Sequence, residues 1–344
     1  MSRGLARPED FPRVARATPG VTPAGAAWAR VALSRRFFVL TSRVAGLLLL
    51  AVLLSLASPH FATWQNLINV LRQASIQFLL SAGLTLCVLT GGIDLSVGAV
   101  LGLSACLGAA LLAQGHVAAG ILAALLVGTA CGLANGTVVA YLRLPAFIAT
   151  YGTLWIAHGL AYVFMQGEVI HGFPPAFRFI GAGFVGPVPV PILVMLAVLG
   201  GLHVLLHRTP LGRAIYAIGG NATAARLSGM PVQRRLVAVY ALSGLLAGFA
   251  GLVVIARVNA ADAGTGEDLL LGSIAAVVLG GTSLFGGYGG VAGTAVGAII
   301  LALVVNGMNL LDIQTFWQPF VVGSIVIVTV LADQLASAGA GRST

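Results

Sequence analysis

Long apolar runs alternate with short polar or glycine-rich segments along most of the chain. A helix needs about 20 apolar residues to cross the hydrocarbon core of a bilayer, and ten runs approach that length. The first starts near Phe37 and ends near Ser58. The others lie at about 74–90, 97–113, 117–141, 146–166, 189–206, 236–256, 269–285, 291–311 and 316–334. The pattern predicts an all-α, polytopic membrane protein with about ten transmembrane helices, some of them interrupted by glycine.

The ends of the chain differ from its centre. Residues 1–36 are rich in Arg, Pro and Ala and have no helical period, so they are predicted to form a disordered cytoplasmic tail. A cleaved signal peptide is not expected, because the leading polar stretch is too long and no small-residue cleavage site follows it. Residues 37–336 are then the transmembrane domain, and residues 337–344 a cytoplasmic C-terminal tail.

Two connecting segments have a pattern of their own. In residues 61–73 the apolar positions share one helix face, which predicts an amphipathic segment lying at the membrane interface before the second span. Residues 167–188 contain several prolines, so they are predicted to form an external loop too broken for a long helix.

Composition excludes a soluble protein. Only 8% of the residues are charged and 58% are hydrophobic, with a mean hydropathy of +1.01, whereas soluble domains carry about 25% charged residues. All 18 basic residues are arginine. Without lysine the chain lacks the P-loop that binds ATP phosphates, and a retinal Schiff base is excluded as well. No cofactor is expected here, and any ATP would be bound by a partner subunit.

The arginines are clustered rather than spread along the chain. Eight lie in residues 1–43 and five lie between Arg208 and Arg235, beside apolar spans. This is the positive-inside pattern of a membrane protein and not a nucleic-acid-binding surface. It predicts cytoplasmic termini and a cytoplasmic loop at residues 207–235 in a plasma-membrane protein. The acidic residues Glu168, Asp262, Glu267 and Asp268 then fall outside. The three cysteines lie in apolar runs and indicate no disulfide.

Two glycine-rich segments interrupt the apolar pattern in corresponding places. Residues 89–98 read LTGGIDLSVG and residues 279–290 read LGGTSLFGGYGG, so GGIDL matches GGTSL. Paired glycine-interrupted segments in the two halves of a membrane protein point to a transport pathway. Glycine lets a helix unwind, and the freed backbone groups then need a polar partner. The predicted broken-helix glycines are Gly91, Gly92, Gly280 and Gly281.

Asp94 is a carboxylate within the first of these segments. Three roles are open: a cap that holds a turn at the cytoplasmic interface, a place on the substrate path, or contact with a partner subunit. Proton carriage is disfavoured because none of the histidines forms an obvious chain with Asp94. The other polar pathway candidates either bind a hydroxylated solute or join helices. These candidates are Ser96, Asn135, Asn306 and Asn309.

The cytoplasmic loop at residues 207–235 contains a short capped helix. Asn221 suits the N-cap, residues 222–228 favour helix, Gly229 suits the C′ position and Pro231 prevents continuation. Gly219 and Gly220 are predicted to form a flexible end. An isolated helix of this length is marginal in water, so it packs on the membrane surface or in a groove of an energy-supplying ATPase. The candidate coupling residues are Gly220, Asn221, Ala225, Arg226, Leu227, Ser228 and Gly229.

Five ordered motifs resemble those of permease subunits of bacterial ABC importers for monosaccharides, of the ribose/xylose/galactose type. They read TGGIDLSVGAVLGLSA (90–105), NGTVVAYLRLPAFIATYGTL (135–154), AIGGNATAARLSG (217–229), IAAVVLGGTSLFGGYGGVAGTAVGA (274–298) and NGMNLL (306–311). The resemblance covers about 40–335.

The resemblance implies a ten-span permease that works as two copies or two related chains, with an ATPase dimer and a periplasmic sugar-binding protein. It also implies that residues 219–229 supply the coupling helix that enters the ATPase groove. One departure is Ala222-Thr223, where the family commonly carries Pro-Glu. The missing glutamate removes an acid from the first turn of that helix but leaves the Asn221 cap.

The expected function is therefore a permease that imports a monosaccharide. Within the same class, an autoinducer-like furanosyl compound, an inositol or a nucleoside would fit the same residues. An ion-coupled secondary transporter is a further alternative, for which Asp94 is the clear candidate group. An intramembrane enzyme is disfavoured because the chain contains neither HExxH nor GxSxG.

Overall fold

The computed structural model describes residues 43–340. The predicted tail at 1–36, the start of the first predicted span and residues 341–344 lie outside the described residues. The described residues form twelve α-helices: α1 (Arg43–Ala57), α2 (Trp64–Leu89), α3 (Val97–Ala113), α4 (Val117–Ala140), α5 (Ala146–Met165), α6 (Pro175–Ala182), α7 (Val190–Arg208), α8 (Pro210–Leu227), α9 (Val232–Val258), α10 (Glu267–Leu279), α11 (Val291–Leu310) and α12 (Gln318–Ala340).

Short strands and one 3₁₀ turn complete the secondary structure. β1 (Ile170–His171) pairs antiparallel with β4 (Ala260–Ala261), and β2 (Phe184–Val185) pairs antiparallel with β3 (Val188–Pro189). The 3₁₀ turn, Thr315–Trp317, precedes α12. A polytopic helical membrane protein is confirmed, and the segment predicted as a broken external loop holds only the eight-residue α6 and three of the short strands.

Ten of the twelve helices correspond to the ten predicted spans. By length and composition, six helices of the described chain are able to cross a bilayer, namely α2, α4, α5, α7, α9 and α11. The apolar helices α1 and α3 are shorter. The number of crossings therefore stays a prediction.

The amphipathic segment predicted at residues 61–73 is not separate from the second span. The helix α2 begins at Trp64, where the Thr63 side chain caps it, and continues unbroken to Leu89. Val70 is buried in an apolar cluster with residues of α1 and α11. One face of the segment thus packs inside the bundle, and this packing extends the helix beyond the apolar run.

Helix α9 lies at the centre of the bundle and packs against α2, α3 and α4. Where it packs against α4, the backbones of the two helices are in direct contact. A Cβ on Gly132 would clash with the Tyr240 carbonyl, and one on Gly244 would clash with the Gly128 carbonyl. Small residues are what membrane helices use to approach this closely, which accounts for part of the high glycine content.

Candidate functional site

The first glycine-interrupted segment ends α2 with a Schellman motif. Gly91 has a φ of +83°, in the left-handed region that favours glycine. The N–H of Gly91 donates to the Val88 carbonyl at 2.9 Å, and the N–H of Gly92 donates to the Cys87 carbonyl at 3.2 Å. These two bonds close the helix end and satisfy two of its last carbonyls. The chain then crosses a short linker, residues 90–96, before α3 begins.

The second segment ends α10 in the same way. Gly281 has a φ of +69°, its N–H donates to the Val278 carbonyl at 2.8 Å, and the N–H of Thr282 donates to the Val277 carbonyl at 3.1 Å. Gly281 therefore has the same position in its Schellman motif as Gly91 has in the first one. The match of GGIDL with GGTSL instead pairs Gly91 with Gly280, so the two correspondences differ by one residue. The predicted span 269–285 is also too long, because this motif stops the helix at Leu279.

Arg43 holds the end of α10. Its Nη1 donates to the Gly280 carbonyl oxygen at 2.7 Å. A cation at a helix C-terminus satisfies a free carbonyl and interacts favourably with the helix dipole. The sequence placed Arg43 within an arginine cluster but gave no sign of this contact.

Asp94 is buried, with 1% of its surface exposed, and it organises the linker between α2 and α3. Its Oδ1 accepts hydrogen bonds from the Ser96 amide at 3.0 Å and the Ser96 hydroxyl at 2.6 Å, and its Oδ2 accepts one from the Ser243 hydroxyl at 3.1 Å. The carboxylate thus closes a local turn and ties the linker to α9. It precedes the N-cap position of α3, which Ser96 occupies without a side-chain cap.

Two neighbouring helices complete this network. The Asn135 amide of α4 donates to the Ser96 hydroxyl oxygen at 2.9 Å and accepts from Thr153 of α5. Thr150, one turn earlier on α5, accepts from the Leu95 amide at 3.1 Å. The predicted pathway residues Asp94, Ser96 and Asn135 therefore meet in one buried cluster.

The other two predicted pathway residues lie apart from this cluster. Asn306 and Asn66 form a reciprocal amide pair, with Asn306 Nδ2 donating to Asn66 Oδ1 at 2.7 Å and Asn66 Nδ2 donating to Asn306 Oδ1 at 3.0 Å. Asn309 Oδ1 accepts from Gln318 Nε2 at 2.9 Å on an exposed surface. In this structure these two asparagines join helices.

The segment at 207–235, predicted to be a cytoplasmic loop, is more helical than predicted. Thr209 caps a helix whose first residue is Pro210, a position that proline favours, and Ile215 and Ile218 bury one face of it. Because of this packing, residues 219 and 220 are helical and not a flexible end. The helix kinks at Asn221, which has a φ of −161° and a ψ of 99°.

A second short helix follows the kink, capped at both ends. The Asn221 Oδ1 accepts from the Ala224 amide at 2.9 Å. At the other end Gly229 has a φ of +82°, its N–H donates to the Arg226 carbonyl at 3.0 Å, and the Met230 N–H donates to the Ala225 carbonyl at 3.2 Å. This is another Schellman motif. Ala225 is buried, but Leu227 is 84% exposed, so the apolar side chain of the short helix has no cover within the described chain.

The loop and both interrupted segments meet at a glycine junction, formed by Gly91, Gly219, Gly220, Gly286 and Gly287. The Gly287 N–H donates to the Leu89 carbonyl at 2.9 Å, which joins the second segment to the end of α2. A Cβ on Gly219 would clash with the Leu89 carbonyl oxygen and the Gly287 nitrogen. One on Gly286 would lie 2.8 Å from the Gly91 nitrogen and 3.0 Å from the Gly219 Cα.

One side chain adds a hydrogen bond to this junction. The Tyr216 hydroxyl, on the first half of α8, donates to the Gly289 carbonyl at 2.9 Å. The helix that carries the candidate coupling residues is therefore in direct contact with the end of α2 and with the loop that follows α10.

Several residues of the site went unrecognised in the sequence. The doublet Gly219-Gly220 was predicted to be a flexible end, and Gly286-Gly287 was part of a glycine-interrupted segment. Neither indicated that the two doublets approach each other. Ser243, Thr150 and Thr153 lie within apolar runs, where isolated hydroxyl residues are common, so no local signal distinguishes them.

Comparison with known proteins places the chain in a family. Residues 66–330 match the family profile described as branched-chain amino acid transport system / permease component. The ribose import permease protein RbsC of Bacillus subtilis (strain 168) is 41% identical over 296 residues, covering 85% of this chain and 92% of that protein.

Two further relatives are named for the transport of other sugars. The D-allose transport system permease protein AlsC of Escherichia coli (strain K12) is 37% identical over 304 residues, covering 88% of this chain and 91% of that protein. The galactose/methyl galactoside import permease protein MglC of Haemophilus influenzae is 34% identical over 309 residues, covering 84% and 92%. No solved structure gives a significant match.

The resemblance to monosaccharide permeases that the five motifs indicated is thereby confirmed. The chain belongs to the family described as the branched-chain amino acid transport system / permease component.

Proposed function

We propose that the chain is the transmembrane permease subunit of an ATP-driven ABC importer that carries a monosaccharide into the cytoplasm. The names of the relatives support a sugar as the cargo, since ribose, allose and galactose permeases are each more than 30% identical over most of the chain. The subunit crosses the bacterial inner membrane ten times, and both termini lie in the cytoplasm. An autoinducer-like furanosyl compound, an inositol or a nucleoside remains the alternative cargo.

Two features of the chain indicate its partners: it has no lysine, and it exposes a short helix after Asn221. Without lysine it has no P-loop, so ATP is bound and hydrolysed by cytoplasmic subunits. The short helix after Asn221 presents its exposed Leu227 and its Arg226 to a groove of those subunits. A second permease copy or paralogue and a periplasmic sugar-binding protein complete the transporter within the lipid bilayer, and nucleic acid has no role.

The glycine junction is the observation that supports this function most directly. The helix that receives force from the ATPase touches the ends of both interrupted segments through backbone atoms. Because these contacts are backbone on backbone, a displacement of α8 is passed on directly to the end of α2 and to Gly286 and Gly287 in the loop after α10. In alternating access this displacement closes the inner end of the path while the outer end opens to the binding protein.

The test is uptake by the assembled transporter. The permease, the ATP-binding subunit and the binding protein encoded beside it are reconstituted in liposomes, and uptake of radiolabelled D-ribose is measured. We expect uptake that requires ATP and the binding protein and that a protonophore leaves unchanged. Uptake driven by an ion gradient in the permease alone would overturn the proposal in favour of a secondary transporter.

Replacing Gly229 with valine is expected to uncouple ATP hydrolysis from transport. A β-branched residue in the left-handed region costs about 1–2 kcal/mol, and the cap that fixes the end of the coupling helix is lost. A Cβ here meets nothing within 4 Å, so the effect is one of backbone conformation alone. Sugar moved per ATP hydrolysed is the measurement.

Gly229→Asn is the matched control, because asparagine tolerates a positive φ. It should retain most of the coupling that valine removes. Equal coupling in the parent and the valine variant, at equal expression, would show that this cap does not transmit force.

A further inference from the structure

A cavity of about 340 Å³ lies between α2, α10, α11 and the start of α12, and no role has yet been given to it. Small-molecule sites in proteins have volumes of roughly 300–1,000 Å³, so a monosaccharide fits in this space. Polar and apolar groups line different parts of the wall. The polar residues are Gln73, Gln77, Glu267, Asp268, Thr315 and Gln318, and the apolar part includes Leu301, Val305 and Val322.

Gln77 presents a fixed acceptor to this cavity. The residue is buried, with 8% of its surface exposed. The Nε2 donates to the Leu269 carbonyl at 3.1 Å and to the Ser273 hydroxyl oxygen at 2.8 Å, which fixes the plane of the amide. The Oε1 accepts no hydrogen bond from any residue that the structure describes. Because Gln77 lines the cavity, this oxygen is suited to accept a hydrogen bond from a ligand.

Gly272 keeps the acceptor uncovered. A Cβ at this position would lie 2.9 Å from Gln77 Oε1 and 3.2 Å from both Cδ and Nε2 of the same amide. Any side chain here would press on the amide from the cavity side. The glycine thus leaves the oxygen open to a small polar molecule.

The first turn of α10 adds the carboxylates of Glu267 and Asp268 to the lining of the cavity. Glu267 Oε1 accepts from the Tyr162 hydroxyl at 3.3 Å and contacts His158 Nδ1 at 3.3 Å, while its second oxygen is available. Hydroxyl groups that donate to a carboxylate form strong, charge-assisted hydrogen bonds. Amide and carboxylate acceptors together with an apolar patch in one lining match a polyol ring, which has hydroxyls around its edge and C–H groups on its faces.

We propose that this cavity is a binding site for the monosaccharide within the permease itself, and this inference rests on the function proposed above. Gln77 Oε1 and the two carboxylates accept hydrogen bonds from sugar hydroxyls, and Leu301 and Val305 contact the apolar face of the ring. In the proposed topology the cavity lies in the outer half of the membrane, where a sugar released by the binding protein would arrive first.

Helix α2, which forms one wall of the cavity, also reaches the glycine junction. α2 carries Gln77 and ends at the Gly91 cap, and α10 carries Gly272 and ends at the Gly281 cap. A movement of α8 at the junction therefore changes the distance between the walls of the cavity. This gives the coupling helix a direct means of weakening sugar binding when ATP is hydrolysed.

The first test is a transport measurement with Gly272→Ala in the complete reconstituted transporter. The added methyl group should raise the KM for D-ribose uptake about tenfold, equivalent to about 1.4 kcal/mol of lost binding, with assembly with the ATPase unchanged. Gly323→Ala is the matched control, because a Cβ at this helical glycine meets nothing within 4 Å. It should leave the KM at the parental value.

The second test does not depend on transport. Gln73→Cys introduces a thiol at the cavity wall, while the three native cysteines are buried or half-buried. A membrane-impermeant maleimide should label this thiol, and millimolar D-ribose should slow labelling, whereas L-glucose should have less effect.

The outcomes separate the two proposals. Parental transport of D-ribose with an unchanged KM in Gly272→Ala and no protection of Gln73→Cys would overturn the cavity site and leave the proposed function intact. Absence of ATP-driven D-ribose uptake in the parent would count against ribose as the cargo of the proposed function. Protection of the thiol together with the raised KM supports the site.

Discussion

Gly219→Ala is expected to lower ATP-driven sugar uptake about tenfold or more. The new methyl group would clash with the Leu89 carbonyl oxygen and the Gly287 nitrogen, which belong to the two interrupted segments. Backbone atoms cannot rotate away as a flexible side chain can, so α8 must shift from the junction. Overpacking of this kind costs about 1–3 kcal/mol, and about 1.4 kcal/mol corresponds to a factor of ten. Uptake and ATP hydrolysis are measured together in proteoliposomes.

The control is Gly200→Ala on α7, a helical glycine whose Cβ would meet open space. This variant should transport at close to the parental rate. If Gly219→Ala also transports normally at equal expression, the junction is not the route by which force reaches the segments, and the mechanism proposed here is wrong.

Asp94→Ala is expected to destabilise the folded protein severely. The change leaves the Ser96 amide, the Ser96 hydroxyl and the Ser243 hydroxyl without their acceptor. Each buried donor left unsatisfied costs about 1–3 kcal/mol, so the total is on the order of several kcal/mol. The measurement is the thermal unfolding midpoint of the protein purified in detergent, with Glu168→Ala, an exposed carboxylate, as the control.

Asp94→Asn separates folding from transport. The asparagine oxygen still accepts from Ser96, and its NH₂ group finds an acceptor in the Ser243 hydroxyl, so we expect a smaller loss of stability than with alanine. The loss of uptake should nevertheless be larger than the loss of stability explains, because the negative charge that accepts hydrogen bonds from three donors is gone. Parental uptake in this variant would mean that Asp94 is only a turn residue.

Most of the fold could be predicted from the sequence because membrane helices have a strong local signal. The start and end of α3 were predicted at Val97 and Ala113, where glycine and polar residues bound the apolar run. The start of α2 was predicted wrongly, because Val70 is buried by residues of α1 and α11 that are distant in the sequence. The end of α10 was predicted too late, because apolar Leu284 and Phe285 continue the run beyond the break at Gly281.

The candidate site was partly predictable for the same reason. The Asn221 cap and Gly229 termination are local features, and they were read from residue type and spacing. That Gly219 meets Gly287, or that Asp94 accepts from Ser243, depends on which helices become neighbours. The spacing of residues along the chain does not say which helices are neighbours. The contact of α8 with both interrupted segments is therefore found only in the three-dimensional structure.

The reciprocal amide pair of Asn66 and Asn306 ties the first turn of α2 to α11, which makes it a point about which α2 can tilt. At about 1.5 Å per residue, Leu89 lies about 35 Å from Asn66 along the helix axis and Gln77 about 17 Å. When α2 tilts as a rigid rod about this point, the displacement of Gln77 is about half the displacement of Leu89. A displacement of α2 at the glycine junction would therefore reach the proposed sugar site at Gln77 reduced by about half.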